Sequence, residues 1–282
     1  MSLKFPISLV GKRASSGGDV PFATSLYDSG ENLLVSIETD IPNNWNDFNT
    51  PYNATRLEIG TSCTNIGDFA FWSCTNLTGD LVIPNSVTTI GVYAFYSCNG
   101  LDGTLTIGNS VTTIGSYAFN GCSGLTGSLT IGNSVTSIGN DAFYNCSGLT
   151  GDLVIPDSVT SIENNTFYNC FGFTGSLTIE NSVTSIGGYA FSFCTGLTGD
   201  LVIPNSVTSI GSGAFLFCSN LTTAYLAPPL ANVGSGAFSQ SGLTTVYAND
   251  AVANGWTLGA GQTVGGKSGV TVIDWTNYPV TP

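Results

Sequence analysis

Apolar residues recur along this chain at a fixed interval of 24 residues. Six successive steps hold in several columns at once, which is too regular to arise by chance. The clearest columns are isoleucines, phenylalanines and cysteines: Ile66, Ile90, Ile114, Ile138, Ile162, Ile186 and Ile210; Phe71, Phe95, Phe119, Phe143, Phe167, Phe191 and Phe215; Cys74, Cys98, Cys122, Cys146, Cys170, Cys194 and Cys218. A unit this short cannot fold alone, so each coil must bury its apolar side against the next coil.

Each unit divides into three pieces by its pattern of apolar and polar positions. Residues 81–83 alternate between apolar inward positions and one outward position, which predicts a short strand. Residues 87–90 predict a second extended piece, and the apolar spacing over 94–101 is typical of one short helical turn. The pattern therefore predicts a β-rich repeat solenoid with short strands and short helical turns, whose coils lie about 4.8 Å apart.

The repeat fades at both ends of the chain. Residues 1–58 do not repeat, and the last unit follows its predecessor after only 23 residues. We predict strands at 33–41 and 55–59 and a closing strand at 269–275. The solenoid is expected to be capped at both ends. The predicted parts are an N-terminal arm (1–25), an N-terminal cap (26–58), the repeat solenoid (59–248) and a C-terminal cap (249–282).

The repeat unit also resembles a known family. The segment IPNSVTSIGSGAFLFC at 203–218, with its relatives at 83–98 and 107–122, is similar to the BspA-like leucine-rich repeats of bacterial and some protist surface proteins. The copies here are one residue longer than the commonest form, through the LTGDLVIP segment. The resemblance covers 59–248 and implies a right-handed leucine-rich solenoid with a role in adhesion or protein recognition. It implies no catalytic residues.

Composition excludes several classes of function. The chain has 18 acidic and 5 basic residues, a net charge of −13 and no histidine. Without histidine there is no histidine-based triad, general base or metal ligand, and the acidic balance argues against a nucleic-acid partner. No stretch reaches the roughly 20 apolar residues of a transmembrane helix, and the first residues lack the apolar run of an export signal. We therefore expect no enzyme, no membrane insertion and no signal peptide in this chain.

The eight cysteines are predicted to be reduced core residues. Neighbouring side chains in a ladder run parallel, which does not suit disulfide bonds, and no CxxC pair indicates a metal site. Cys63 stands where other units hold a valine, as at Val87, which supports a packing role. Asp80, Asp152 and Asp200 share a column but not adjacent coils, so no calcium site is predicted.

Two further patterns have a functional and a structural interpretation. Residues 261–268 match the phosphate-binding loop GxxxxGKS, but a strand-like alternation follows where a helix is needed, so we predict a flexible hairpin loop and no cofactor. A threonine column and a serine column two residues before it form hydroxyl rows. They match an ice-binding face, although exposed β positions favour such rows anyway. The threonines are Thr88, Thr112, Thr136, Thr160, Thr184 and Thr208.

The candidate binding residues lie where near-identical repeats differ. The columns of 92–93 and 96–97 vary most, so the fold does not fix them and they are available for a partner. Exposed aromatic rows favour recognition of proteins or sugars, whereas the alternative is that the rings stack and cover the core edge. The candidates are Phe69, Trp72, Tyr93, Tyr96, Tyr117, Tyr144, Tyr168, Tyr189, Phe193 and Phe217.

Two functions fit these patterns. The first hypothesis is a non-enzymatic recognition or adhesion protein, at the cell surface or outside the cell, that presents its solenoid to a protein or glycan. The alternative is a phage virion component, such as a tail-fibre, receptor-binding or decoration protein, displayed on the virion surface and used for host attachment or particle assembly. Lys4, Lys12 and Arg13 in the arm fit an anionic assembly partner or ordinary solvation.

Overall fold

The chain winds into a β-solenoid of short parallel strands and hydrogen-bonded turns. The computed structural model describes residues 24–27, 29–30, 33–37, 41, 54–226, 230, 232–248 and 259–274. The strands, in chain order, are β1 Thr24–Tyr27, β2 Leu33–Ile37, β3 Arg56–Glu58, β4 Asn65–Ile66, β5 Leu81–Ile83, β6 Thr89–Ile90, β7 Thr104–Ile107, β8 Thr113–Ile114, β9 Thr126–Thr130, β10 Ser137–Ile138, β11 Leu153–Ile155, β12 Ser161–Ile162, β13 Leu177–Ile179, β14 Ser185–Ile186, β15 Asp200–Ile203, β16 Ser209–Ile210, β17 Thr223–Leu226, β18 Asn232–Val233, β19 Thr245–Ala248, β20 Gly259–Val264 and β21 Lys267–Asp274.

Each coil contributes one longer strand and one two-residue strand, and like strands pair in parallel along the solenoid. The two-residue strands form the sheets β4-β6-β8-β10 and β12-β14-β16-β18. The longer strands form β5-β7-β9, β11-β13 and the sequence β15-β17-β19-β21, to which β20 adds an antiparallel edge. Register follows the repeat, since Leu81 pairs with Leu105 and Ile90 with Ile114.

A column of stacked phenylalanines runs through the core. Consecutive rings lie 5.0 to 5.5 Å apart between centroids, and their planes are nearly parallel. All are fully buried. They mark the coils, numbered here 1 to 8: Phe71, Phe95, Phe119, Phe143, Phe167, Phe191, Phe215 and Phe238. The predicted solenoid and its inward columns are therefore confirmed.

The predicted short helical turn is wrong. Over 94–101 and its equivalents the described chain forms a run of turns and no helix. Tyr96 donates its N–H to the carbonyl of Tyr93 at 3.2 Å, but Phe95 donates to Ala118 of the next coil at 2.7 Å. A helix needs consecutive N–H groups to bond within their own segment, whereas here alternate ones bond to the neighbouring coil. The apolar spacing correctly predicted which side chains point inward, but it does not determine which backbone hydrogen bonds form.

The N-terminal strands begin a separate small sheet that joins the first coil. Strand β1 pairs antiparallel with β2 and with β3, the longer strand of coil 1. Of the strand predicted at 33–41, the structure describes β2 at Leu33–Ile37 and an isolated parallel bridge from Ile41 to Ile66, while 38–40 lie outside the described residues. The strand predicted at 55–59 corresponds to β3. The N-terminal cap is described only in part, so it stays a prediction.

At the other end, β20 and β21 form a hairpin across the segment that matches a phosphate-binding loop. Gly265 and Gly266 make its two-residue turn with φ of 51° and 85°, which suits glycine. Strand β21 continues from the turn and covers most of the predicted closing strand. A hairpin is therefore present at 261–268 as predicted, but its residues other than Gly265 and Gly266 are paired strand residues and not a flexible loop. Phe238 of coil 8 donates its N–H to the carbonyl of Gly265 at 2.9 Å. Much of 249–282 lies outside the described residues, so the C-terminal cap and the right-handed winding stay predictions.

Replacing Phe143 with alanine is expected to destabilise the protein strongly. Its ring lies 5.3 Å from that of Phe119 and 5.4 Å from that of Phe167, so the change leaves a cavity inside the stack. The expected loss is roughly 3–5 kcal/mol in the free energy of unfolding, measured by urea denaturation. Val154→Thr is the matched control, because the side chain is exposed and the equivalent Thr178 is already threonine, and it should change stability by less than about 0.5 kcal/mol.

Deleting residues 108–131 removes one repeat and should leave a shorter folded solenoid. The deletion keeps the 24-residue register, and coils contact only their neighbours. Deleting 108–119 instead removes half a repeat, so the apolar residues that follow the deletion no longer align with the core positions of the preceding coil. Circular dichroism and size-exclusion chromatography should show a folded monomer for the first variant and aggregation for the second. Equal behaviour of the two deletions would contradict the nearest-neighbour architecture.

Candidate functional site

The third side of each coil, after the two-residue strand, carries three variable columns that we call the aromatic edge. Column A holds Phe69, Tyr93, Tyr117, Asp141, Asn165, Tyr189, Gly213 and Gly236. Column B holds Trp72, Tyr96, Asn120, Tyr144, Tyr168, Ser192, Leu216 and Ser239. Column C holds Ser73, Ser97, Gly121, Asn145, Asn169, Phe193, Phe217 and Gln240. All ten candidate binding residues lie in these columns.

The aromatic rings form stacked pairs that move from one column to the next along the solenoid. In column A, Tyr93 and Tyr117 stack at 4.5 Å with an interplanar angle of 1°. The next pair, Tyr144 and Tyr168 in column B, stacks at 4.7 Å. The last pair lies in column C, where the rings of coils 6 and 7 are 4.6 Å apart. The pairs therefore cross the aromatic edge as a diagonal.

Edge-on contacts show that column B lies between columns A and C. Tyr93 contacts Tyr96 of the same coil at 5.4 Å, and Tyr168 contacts Phe193 of the next coil at 5.5 Å, both with strongly inclined planes. Phe69 extends the first stack, 4.9 Å from Tyr93. The structure thus brings the predicted residues together as two groups, coils 1–3 and coils 4–7. Tyr189 is placed differently, with its ring against Gly213.

The rings are less exposed than the sequence analysis predicts. Trp72, Tyr189 and Phe217 are exposed, at 43, 45 and 38% of their full surface. The other seven candidates are half-buried because they pack on one another. Only part of the surface of each of these seven side chains is therefore accessible.

Columns A and C force their residues into the left-handed backbone region. Every described residue in both columns has φ between 55° and 77°. Glycine, asparagine and aspartate tolerate this conformation, and Asp141 and Asn165 are examples. For bulky side chains it is an outlier that costs energy. Six aromatic residues nevertheless occupy it: Phe69, Tyr93, Tyr117, Tyr189, Phe193 and Phe217.

The aromatic edge carries no positive charge. No lysine or arginine occurs between residues 57 and 266. Arg56 is paired with Glu58 and lies over the Tyr27 ring at 3.9 Å, and Lys267 lies in strand β21. Lys4, Lys12 and Arg13 lie outside the described residues. The edge is therefore suited to neutral or cationic partners.

Asp141 is the most unusual polar residue of the edge. It is only 8% exposed, and burial raises the pKa of its carboxyl group, while hydrogen bonds from Asn165 and Tyr117 oppose this shift. Its negative charge in turn raises the pKa of Tyr117, and burial adds to that shift. It also contributes, after burial and Tyr168, to the raised pKa of Tyr144.

The cysteine column is part of the core. The thiol of Cys122 donates to the carbonyl of Phe95 at 3.0 Å, and the thiols from Cys98 to Cys218 repeat this bond across coils. Burial raises the pKa of Cys122 and of Cys194 to about 12. Cys74 in coil 1 is only half-buried, so the predicted core role is less complete there.

The remaining polar rows make bonds between coils. Thr112 donates its hydroxyl to the carbonyl of Thr88 at 3.0 Å, and Thr88, Thr136, Thr184 and Thr208 make the equivalent bond to the preceding coil. The serine row is partly buried rather than wholly outward. Asp80 accepts bonds from the N–H and hydroxyl of Thr104, which lowers the pKa of its carboxyl group. Among the described residues, no group of three metal-ligating side chains occurs.

The sequence analysis missed a second exposed apolar surface on the longer strands. Val82 is 53% exposed, and Tyr225 stacks on Tyr247 at 4.7 Å on the same face. Phe171, in the turn region of coil 5, is also exposed. The sequence could have indicated Phe171 as an exposed apolar residue, because other coils hold a small polar residue there, such as Ser147. Nothing in the sequence marks Val82 as exposed, since valine is common in strands.

Comparison with known proteins identifies related sequences. The family model for the BspA type leucine rich repeat region matches this chain in six copies, over residues 40–174 and 150–254. A leucine rich cell surface protein from Faecalibacterium prausnitzii is 23% identical over 82% of this chain and 77% of its own, with a TM-score of 0.45. A leucine-rich repeat protein from Bacteroides ovatus is 26% identical over 65% of this chain and 59% of its own, with a TM-score of 0.41. A leucine rich repeat protein from T. pallidum is 29% identical over 59% of this chain and 68% of its own, with a TM-score of 0.39.

No curated protein matches the chain. In the part of the chain that the structure describes, no helix has the length and apolar character needed to cross a membrane.

The buried thiols are expected to react only after unfolding. Thiol titration should find eight groups per chain in denaturant and at most one fast group, Cys74, in the native protein. Between pH about 8.5, where unfolded thiols ionise, and the folded pKa of about 12 for Cys122, the unfolded chain binds fewer protons than the folded chain. The free energy of unfolding should therefore fall as pH rises through this window. Few titratable thiols in denaturant without reductant would contradict the assignment.

Proposed function

We propose that this chain, which belongs to the BspA-type leucine-rich repeat family, is a non-enzymatic recognition or adhesion protein that binds its partner through the aromatic edge. It acts at a cell surface or outside the cell. The partner is a protein or a glycan with little negative charge, because the solenoid carries no cation between residues 57 and 266.

The observation that carries this proposal is the strained backbone under the aromatic residues. Tyr93 and Tyr117 occupy left-handed positions where the same column elsewhere holds Asp141, Asn165 and Gly213. Folding alone favours the small or amide residues at these positions. Aromatic side chains bury large areas at low entropic cost and often dominate binding energy. Their retention at strained positions is explained by a partner that they contact.

The competing interpretation is that the rings stack only to cover the core edge. The stacks at 4.5 to 4.7 Å do contribute to packing. However, coil 8 holds Gly236, Ser239 and Gln240 in the three columns, and its core Phe238 is as fully buried as the phenylalanines of the other coils. Coverage of the core therefore does not require an aromatic residue in every coil.

The reactive groups of the described residues support a non-enzymatic role. The column thiols are buried, protonated and hydrogen-bonded, which makes them poor nucleophiles. Asp80 and Asp152 hold neighbouring coils together through their carboxylates. Among the groups that shift the pKa of Asp141, the one titratable side chain is Tyr117, whose own raised pKa keeps its hydroxyl group protonated and makes it a poor nucleophile.

The virion hypothesis receives no additional support. Its basic arm, with Lys4, Lys12 and Arg13, lies outside the described residues. Family membership favours the cell-surface interpretation, since the F. prausnitzii relative is named a cell surface protein.

A triple variant with Tyr93→Asn, Tyr96→Asn and Tyr117→Asn tests the proposal. Each asparagine already occurs in the same column, at Asn120 or Asn165, so the fold should accept it. Binding to arrays of immobilised matrix proteins and printed glycans should weaken by roughly 2 kcal/mol or more, about 30-fold. The melting temperature should stay equal or rise, because two strained tyrosines are removed.

The matched control changes the threonine column, with Thr88→Val, Thr112→Val and Thr136→Val. These residues are exposed and lie outside the aromatic edge, so binding should change little. If the threonine variant loses binding while the tyrosine variant keeps it, the partner uses another side of the solenoid.

A further inference from the structure

The middle of the aromatic edge combines an aromatic pair with polar rows on both sides. In coils 4 and 5, Tyr144 and Tyr168 stack in column B. Column A beside them holds Asp141 and Asn165, and column C holds Asn145 and Asn169. Because column B lies between A and C, the two tyrosines form a strip bordered by a carboxylate and amides. No other pair of adjacent coils has this arrangement.

The polar border offers several hydrogen-bonding groups. Asn169 donates from its side-chain amide to that of Asn145 at 2.7 Å, which uses one of its two N–H donors. Asp141 accepts from Tyr117 and Asn165. A carboxylate has about four acceptor positions, so two bonds leave others for an incoming hydroxyl group.

The left-handed backbone conformation alone does not explain why residue 141 is an aspartate. Its φ of 56° suits asparagine as well as aspartate, and coil 5 has Asn165 in the same place. Burying a carboxylate costs more free energy than burying an amide, and its raised pKa reflects that cost. A charged acceptor is therefore kept where a neutral one would fold at least as well.

The ends of both stacks meet at this point. Tyr93 covers one face of Tyr117, and Tyr168 covers one face of Tyr144. In the described residues no aromatic ring stacks on the opposite faces, because coil 4 holds Asp141 in column A and coil 3 holds Asn120 in column B. Coils 3 and 4 therefore hold two ring faces that no aromatic ring covers, on Tyr117 and Tyr144, next to the polar residues Asn120 and Asp141. We call this junction the step.

We propose that this step and the tyrosine strip of coils 4 and 5 bind an uncharged saccharide chain. Sugar rings have apolar C–H faces that pack on aromatic rings and hydroxyl groups that bond to carboxylates and amides. Sialylated and sulfated chains are disfavoured, since the carboxylate of Asp141 repels them and no cation compensates. The assignment rests on the proposed recognition function and specifies its ligand class.

The test uses a printed array of neutral, sialylated and sulfated oligosaccharides with the full chain. Neutral oligosaccharides should bind and acidic ones should not. Calorimetry with the neutral oligosaccharide of highest signal should show at least tenfold weaker binding for Tyr144→Asn/Tyr168→Asn and at least threefold weaker binding for Asp141→Asn. Both changes use residues that the same columns already hold, at Asn120 and Asn165.

Val82→Thr/Val154→Thr on the longer strands is the control and should bind as the unchanged protein does. Preference for acidic oligosaccharides, or unchanged affinity of the tyrosine variant, would overturn the saccharide site. Absence of all glycan binding would also overturn it. If matrix proteins still bind in that case, and Tyr93→Asn/Tyr96→Asn/Tyr117→Asn removes that binding, the recognition function stands with a protein partner instead.

Discussion

Backbone hydrogen bonding between coils is the constraint on which the rest of this structure depends. On the strand side Thr112 donates its N–H back to Thr88, and on the aromatic edge Phe95 donates forward to Ala118, at 2.8 and 2.7 Å. These bonds hold successive coils about one strand spacing apart. A Cβ added at Gly91 would lie 2.6 Å from the backbone nitrogen of Asp68, so such close approach requires glycine. The phenylalanine stack and the thiol-to-carbonyl bonds follow from the same spacing.

The same constraint makes the aromatic edge unusual. Forward bonding of alternate N–H groups is accompanied by two left-handed residues in each described coil, and side chains there do not enter the core. The left-handed backbone conformation by itself explains small or amide residues at such sites. Aromatic residues at Tyr93 or Phe193 need a further explanation, and the proposed binding function would supply it. The strain is tolerated because the buried columns on the other sides of each coil stabilise the conformation.

The electrostatic character of the solenoid complements this edge. Several carboxylates, such as Asp80 and Asp152, join neighbouring coils. Asp141 differs because it is buried beside tyrosines that terminate two stacks. In the proposed function, an edge whose columns hold no lysine or arginine but a central carboxylate selects partners by hydroxyl groups and apolar faces rather than by negative charge.

The sequence by itself determined the repeat, the inward columns and the variable positions, because a 24-residue period repeats every buried side chain in register. It also identified the ten aromatic candidates, because positions that vary between otherwise near-identical repeats can be recognised from the sequence. It could not determine the backbone of 94–101, because a turn run and a helix place the same residues inward. Only the tertiary structure decided which rings stack, that Tyr93 and Phe193 are strained, and that Asp141 is buried. These properties depend on the distance and direction between coils, which no single repeat contains.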